Sequence, residues 1–159
     1  MKQIRSFVVL AIVIFALSLT AQAQQSKSSN TQAKPAVEYS SASSASARPF
    51  SDVVRVGDTL YLAGKLGTDS TGKLAAGGIK EETRQTMENI RAVLEKNGSS
   101  LDHVVKCTVM LIDMKEWADM NSVYVTFFKK ERMPARSAFG VSGLALNGRV
   151  EIECIAVLK

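Results

Sequence analysis

Arg136 follows Pro134-Ala135 and leads into Ser137-Ala138-Phe139, so its guanidinium stands at the start of an apolar, strand-like run. A planar fork of N–H groups there suits a carboxylate, which it can hold through two parallel hydrogen bonds. On position alone, a surface arginine at a strand start is an equal alternative. Further on, Glu151 and Glu153 are i, i+2 on one run and so point the same way. Paired carboxylates do acid/base work, and a desolvated glutamate near an arginine can activate water. The competing reading is a solvated strand face with both charges paired to lysines. Asn121 shares a helical side with Trp117, Tyr124 and Phe128, where a buried amide needs partners. A structural hydrogen bond to a neighbouring loop is the simpler explanation on sequence alone. His103, the one histidine, has no Cys, Asp or Glu at ligand spacing and reads as a surface residue. No CxxC, HExxH, GxSxG, P-loop or GxGxxG occurs, so metal, serine-hydrolase and nucleotide chemistry have no support.

The elements that must position these groups are legible from periodicity. Val53-Val54-Arg55-Val56 and Thr59-Leu60-Tyr61-Leu62-Ala63, joined by Gly57-Asp58, read as a β-hairpin broken by Gly64 and Gly67. Between Gly78 and Asn97, the residues Ile79, Thr83, Met87, Ile90 and Leu94 fall at helical spacing with charges between them and Gly98 as a stop. Val104 to Ile112 reads as a strand. Trp117, Met120, Tyr124, Phe127 and Phe128 mark a second amphipathic helix ending before Pro134. Two strands follow, Arg136 to Val141 and Val150 to Leu158, separated by a loop at Asn147-Gly148.

The order ββαβαββ predicts an α+β fold, one mixed sheet with two helices packed on one face. Yet residues 104–112 are apolar on both alternations, with Val105, Cys107, Val109 and Leu111 on one side and Val104, Met110 and Ile112 on the other. The last strand places Glu151 and Glu153 with Ile155 and Val157, opposite Val150, Ile152, Cys154 and Ala156. A face that is apolar at one end and acidic at the other is covered most simply by another copy of the chain, with a site at the seam.

At 159 residues, 46% hydrophobic and 22% charged, the chain has the profile of one ordinary domain and excludes a disordered, collagenous or disulfide-dense protein. Its start, Met1-Lys2-Gln3-Ile4-Arg5, then an apolar run from Phe7 to Leu19 and Ala21-Gln22-Ala23, reads as a cleavable signal peptide over residues 1–23, cut after Ala23. That run falls short of the roughly 18 residues of a spanning helix, so no membrane association is expected after cleavage, and the periplasm or full secretion is the expected location. An uncleaved anchor is the alternative; no cysteine near the cut supports a lipid anchor. Residues 24–47, rich in Ser, Gln and Ala, read as a flexible tether in which Val37-Glu38-Tyr39 is the one spot able to dock, and 48–159 as the folded domain. Removing Lys2 and Arg5 trims the excess of 20 basic over 15 acidic residues, so charge argues only weakly for nucleic acid. The two cysteines, Cys107 and Cys154, lie in apolar strands and read as buried free thiols, a disulfide being the lesser alternative. Asn97-Gly98-Ser99 matches the glycosylation triplet, at a helix end and by a pattern common by chance.

Pro134-Ala135-Arg136-Ser137 followed by Val150-Glu151-Ile152-Glu153 resembles the Rid family of reactive-intermediate deaminases, also called YjgF-like or L-PSP endoribonuclease proteins. The resemblance covers about residues 48–159, through Arg48-Pro49-Phe50-Ser51, the hairpin Arg55 to Tyr61, Thr83 to Ile90 in the first helix, and Asn121-Ser122-Val123-Tyr124 in the second. It implies a chorismate-mutase-like fold assembled as a homotrimer with sites between subunits. It also implies hydrolysis of 2-imino or 2-enamino acids, such as 2-iminopropanoate and 2-iminobutanoate, to 2-oxo acids and ammonia. By the same resemblance Arg136 binds the substrate carboxylate, Glu151 positions and activates water, the backbone of Ala138 helps hold that water, and Asn121 and Gly64 line the cleft. No cofactor or metal is implied, because an imine carbon is already electrophilic and anchoring the carboxylate supplies orientation. The family pattern is departed from at Phe50 for tyrosine, Ala63 for serine, Lys65 for glutamine and Ala138 for cysteine, which bears on substrate preference. A non-catalytic small-carboxylate binding protein and, with less support, an endoribonuclease are the alternatives.

Overall fold

The computed structural model describes residues 34–41 and 49–159; the expected signal peptide and most of the expected tether lie outside them. The described strands are β1 (Val37–Ser40), β2 (Val53–Val56), β3 (Thr59–Leu62), β4 (Lys65–Leu66), β5 (Val104–Leu111), β6 (Ala135–Gly140) and β7 (Val150–Val157). They form one sheet in the order β1-β2-β3-β7-β5-β6, with β4 continuing the line of β3 along β7. Only β5 and β6 run parallel; the other pairs are antiparallel. Helices α1 (Ile79–Lys96) and α2 (Trp117–Tyr124) supply the α part of the α+β fold.

The hairpin forms where Gly57 takes φ 58°, a left-handed value glycine reaches without a Cβ penalty. Before it, Val37–Ser40 pairs antiparallel with β2, so ordered structure reaches back into the segment read as tether, at the one spot there with β-forming side chains.

Helix α1 starts one residue after Gly78, with Glu81 and Glu82 in its first turn and Lys96 in its last, charges that favour the helix dipole. Its expected stripe is the buried one: Ile79, Thr83, Met87, Ile90 and Leu94 face the sheet. The buried hydroxyls of Thr83 and Thr86 donate to the carbonyls of Ile79 and Glu82, each at 2.7 Å. Fully burying an aliphatic side chain is worth about 1.5–3 kcal/mol, so this stripe binds α1 to β4 and β7 more firmly than helix propensity could.

Two expectations need correction. The second helix ends as an α-helix at Tyr124 and continues as short 3₁₀ turns, Val125–Phe127 and Lys130–Arg132, rather than running to Phe128. Thr126 donates its hydroxyl to the Val123 carbonyl at 2.7 Å, a local bond that competes with the helical ladder. In β5, a bulge between Val104 and Lys106 breaks the alternation. One extra residue shifts the side chains, so Val104 joins the core and Val105, expected beside Cys107, is exposed.

Beyond the bulge the faces are clear. Cys107, Val109, Leu111, Val150, Ile152, Cys154 and Ala156 point to the helices and are buried. The opposite face presents Tyr61, Ile155, Met110 and Phe139 with Glu151, Glu153 and Lys106. Tyr61 and Phe139 are exposed there.

Candidate active site

Arg136 is the second residue of β6 and pairs in register with Cys107, which points to the helices; Arg136 therefore lies on the helix side of the sheet. Its Cζ sits 4.6 Å from the Tyr124 ring centroid and 5.7 Å from that of Trp117. Tyr124 is braced in turn by Phe128, ring centroids 5.0 Å apart and tilted by 48°. Among the described residues no carboxylate pairs with Arg136, in contrast to Arg55, Arg84, Arg91 and Arg149. A guanidinium held by ring faces keeps its N–H edge for a planar anion. Asn121, one turn from Trp117 and from Tyr124 on the same side of α2, is half-buried, as is Ala138, which shares Arg136's face of β6.

Glu151 belongs to a different surface. It pairs with Met110 of β5 and Leu66 of β4, on the face turned away from the helices. Gly64 lies directly under its carboxylate: a Cβ added at Gly64 would fall 1.9 Å from Glu151 Oε1. Only glycine permits that approach. Partial burial, then the charge of Glu153 two residues on, push the Glu151 carboxyl above the usual carboxylate range. No cation pairs with it among the described residues.

Glu151 and Gly64 open onto a cleft of about 880 Å³, also lined by Phe50, Asp52, Lys65 and Leu146. At its floor Lys65 donates to Asp52, both side chains being about nine-tenths buried. Ala63, half-buried, hydrogen-bonds through its backbone N–H to the Asp52 carbonyl at 3.0 Å. Leu146 holds a left-handed φ of 58°, costly for a branched side chain, and is 62% exposed. Its loop is tied down where buried Glu82 accepts from the Arg149 backbone N–H at 2.8 Å.

The structure thus sorts the sequence-derived residues into two clusters. Phe50, Ala63, Gly64, Lys65 and Glu151 gather at one, Asn121, Arg136 and Ala138 at the other. Within one chain Arg136 and Glu151 do not meet, because residues paired with Cys107 and with Met110 face opposite sides of the sheet. His103 is half-buried, its Nδ1 2.9 Å from Ser100 Oγ, and stands apart from both. Trp117 and Tyr124 were missed as site residues: their spacing marked a core stripe, and nothing in it signalled that Trp117 would remain 38% exposed beneath a guanidinium. Asp52 gave no signal at all, since its partner is distant in sequence.

Residues 40–158 match the family model described as Endoribonuclease L-PSP. The mouse protein named 2-iminobutanoate/2-iminopropanoate deaminase is 42% identical over 110 residues, 69% of this chain and 81% of that relative. The crystal structure of RidA from an Antarctic Psychrobacter superposes with a TM-score of 0.67 at 36% identity, covering 80% of this chain and all of that one. That of yeast Mmf1 gives 0.68 at 35% identity, over 80% of this chain and 98% of that one.

Proposed function

The chain belongs to the Rid, or YjgF-like L-PSP, family, and we propose that it hydrolyses 2-imino acids in a cleft completed between two copies of itself. It is an enzyme of the imine-deaminase class, the class named for relatives that match over most of its length. The observation that carries the finer reading is the placement of Arg136 and Glu151, neither in an ion pair among the described residues, on opposite faces of one sheet. Each half-site lacks what the other offers.

In this scheme Arg136 of one protomer grips the carboxylate of a protonated 2-imino acid and fixes the C=N carbon near Glu151 of its neighbour. Glu151 takes a proton from water as the oxygen attacks that carbon; the backbone of Ala138 helps hold the water. Glu151 returns that proton to the nitrogen of the resulting carbinolamine; the C–N bond then breaks as the hydroxyl gives its proton to the departing ammonia, leaving ammonium and the 2-oxo acid. A carboxyl raised above its ordinary range is a stronger base at neutral pH, and the cleft's partial desolvation is its first cause. The scheme calls on no cofactor.

Three copies arranged around the apolar end of the open face, where Tyr61 and Ile155 lie, make a homotrimer with three such clefts. The signal-like start supports a location in the periplasm or outside the cell, with imines formed there as substrates. Binding without turnover is the second reading, favoured by Phe50 and Ala63, which bring no side-chain hydroxyl to the cleft.

The test supplies imines in place with an amino-acid oxidase and measures 2-oxo acid and ammonia release with added chain. Faster release that Glu151→Gln abolishes supports the deaminase. Stabilisation by 2-oxo acids without faster release selects the binding protein.

A further inference from the structure

Two nucleophilic side chains in the fold have no part in the imine chemistry. Cys107 on β5 and Cys154 on β7 are direct cross-strand partners, both buried and both free thiols. Opposed residues of an antiparallel pair have Cα atoms about 4.5–5.5 Å apart, within the roughly 4.4–6.8 Å that a disulfide spans. An S–S bond here asks for side-chain rotation and no sliding of either strand.

What surrounds the pair gives it a consequence. Arg136 is the register partner of Cys107 on β6. The Tyr124 hydroxyl is buried beside Cys107 with no hydrogen-bond partner among the described residues, and the Tyr124 ring carries the Arg136 guanidinium. The thiols are also unequal. Its contact with Cys154, aided by the Tyr124 hydroxyl and then the Arg136 charge, holds Cys107 below the ordinary thiol range. The same contact and burial push Cys154 up, so Cys107 is the thiol that ionises first.

We propose that Cys107 and Cys154 form a reversible oxidation site, a cross-strand disulfide that loosens the Tyr124–Arg136 stack and weakens substrate binding. The second part rests on the role given to Arg136 above. With a peroxide as oxidant, Cys107 sulfur attacks one peroxide oxygen, the O–O bond breaks, and the departing hydroxide takes the thiol proton as water, leaving a sulfenic acid. Cys154 sulfur then attacks the Cys107 sulfur; the S–S bond forms, the S–O bond breaks, and hydroxyl and thiol proton leave as a second water. Two thiols lose two electrons and one peroxide becomes two waters. Bonding draws the sulfurs from contact to about 2.05 Å and pulls Cys107 away from the Tyr124 hydroxyl.

Trp117, the single tryptophan of the chain, lies 5.7 Å from Arg136 Cζ and reports on the stack without any turnover. The experiment treats the full chain with hydrogen peroxide, counts alkylatable thiols by mass under denaturing conditions, and follows Trp117 emission and pyruvate affinity. Expected are loss of both thiols with a mass lower by two hydrogens, a changed emission, pyruvate binding weaker by roughly tenfold, and reversal of all three by dithiothreitol. Two thiols still alkylatable after peroxide would overturn the site. An emission unchanged in the fully bonded protein would overturn its link to Arg136. Cys154→Ala, or Cys154→Ser should the alanine variant misfold, must lose the reversible emission change; its persistence would show that the change does not need the Cys107–Cys154 bond and sinks the proposal. A disulfide that forms and moves Trp117 in a protein without imine turnover leaves the oxidation site standing and removes the catalytic reading alone.

Discussion

Arg136 is positioned by ring faces instead of a counter-charge, and that distinguishes it from the surface arginines around it. A cation over an aromatic ring gains about 0.5–2 kcal/mol, enough to set its direction while leaving its hydrogen-bonding edge to a ligand. Lysine would keep the charge and lose the fork. Arg136→Lys is expected to raise KM for a 2-imino acid by about tenfold with a smaller change in kcat, and Arg136→Ala to cost about a hundredfold or more in kcat/KM, read from initial rates. At Glu151 the expectation concerns pH. Burial first and Glu153 second raise its pKa, and a general base works only when ionised, so the acid limb of the rate profile lies above the ordinary carboxylate range. Glu153→Gln removes one of those causes and should move that limb to lower pH; an unmoved limb would take Glu151 out of the role of base. The stability sign is the reverse of a salt-bridged carboxylate. Because folding raises this pKa, the folded state holds the proton more tightly, and stability is lost as pH rises through the folded value. Glu151→Gln should therefore melt higher than the parent at neutral pH, by less than about 1 kcal/mol for a half-exposed group.

At the scale of elements, the site depends on how closely β7 can be crossed. The chain leaves β3 at Leu62, passes Gly64 beneath the Glu151 carboxylate and rejoins β7 as β4. Gly64→Ala puts a methyl group where Oε1 now sits. The carboxylate end can rotate away, so the variant should fold with little change in melting temperature, yet displacement by more than 1 Å should cut kcat by about a hundredfold. A large loss of stability instead would place the constraint in the backbone. The features legible in the sequence were those with a strong local period: the hairpin, the stripe of α1, and the alternation of β7 that puts Glu151 opposite Ile152. Those that escaped depend on distant partners. The bulge at Val104–Lys106 is seen only against β7, and β1, whose Val37-Glu38-Tyr39 stood out as able to dock, takes its strand register from β2. The face taken by Arg136 follows from the β5–β6 register, which no feature of the Ala135-Arg136-Ser137 run determines.

At the scale of the whole molecule, the sheet itself separates the two ionic groups, since Arg136 lies on its helix side and Glu151 on its open side. If both act on one substrate, they must come from different copies, and the exposed Tyr61 and Phe139 give those copies an apolar surface to share. Complementation between inactive proteins tests this directly. Arg136→Ala and Glu151→Gln chains, each inactive alone, are unfolded together in equal amounts, refolded and assayed for 2-oxo acid release. In a cyclic trimer each cleft takes Arg136 from one subunit and Glu151 from the next, so random mixing gives about a quarter of the clefts both intact groups and about a quarter of parental activity. A site contained within one chain predicts none, because every subunit would still lack one group. Activity near a quarter, together with a trimeric mass for the mixture, would place the chemistry at the seam; inactivity from a well-assembled mixture would confine the two residues to unrelated roles on their separate faces.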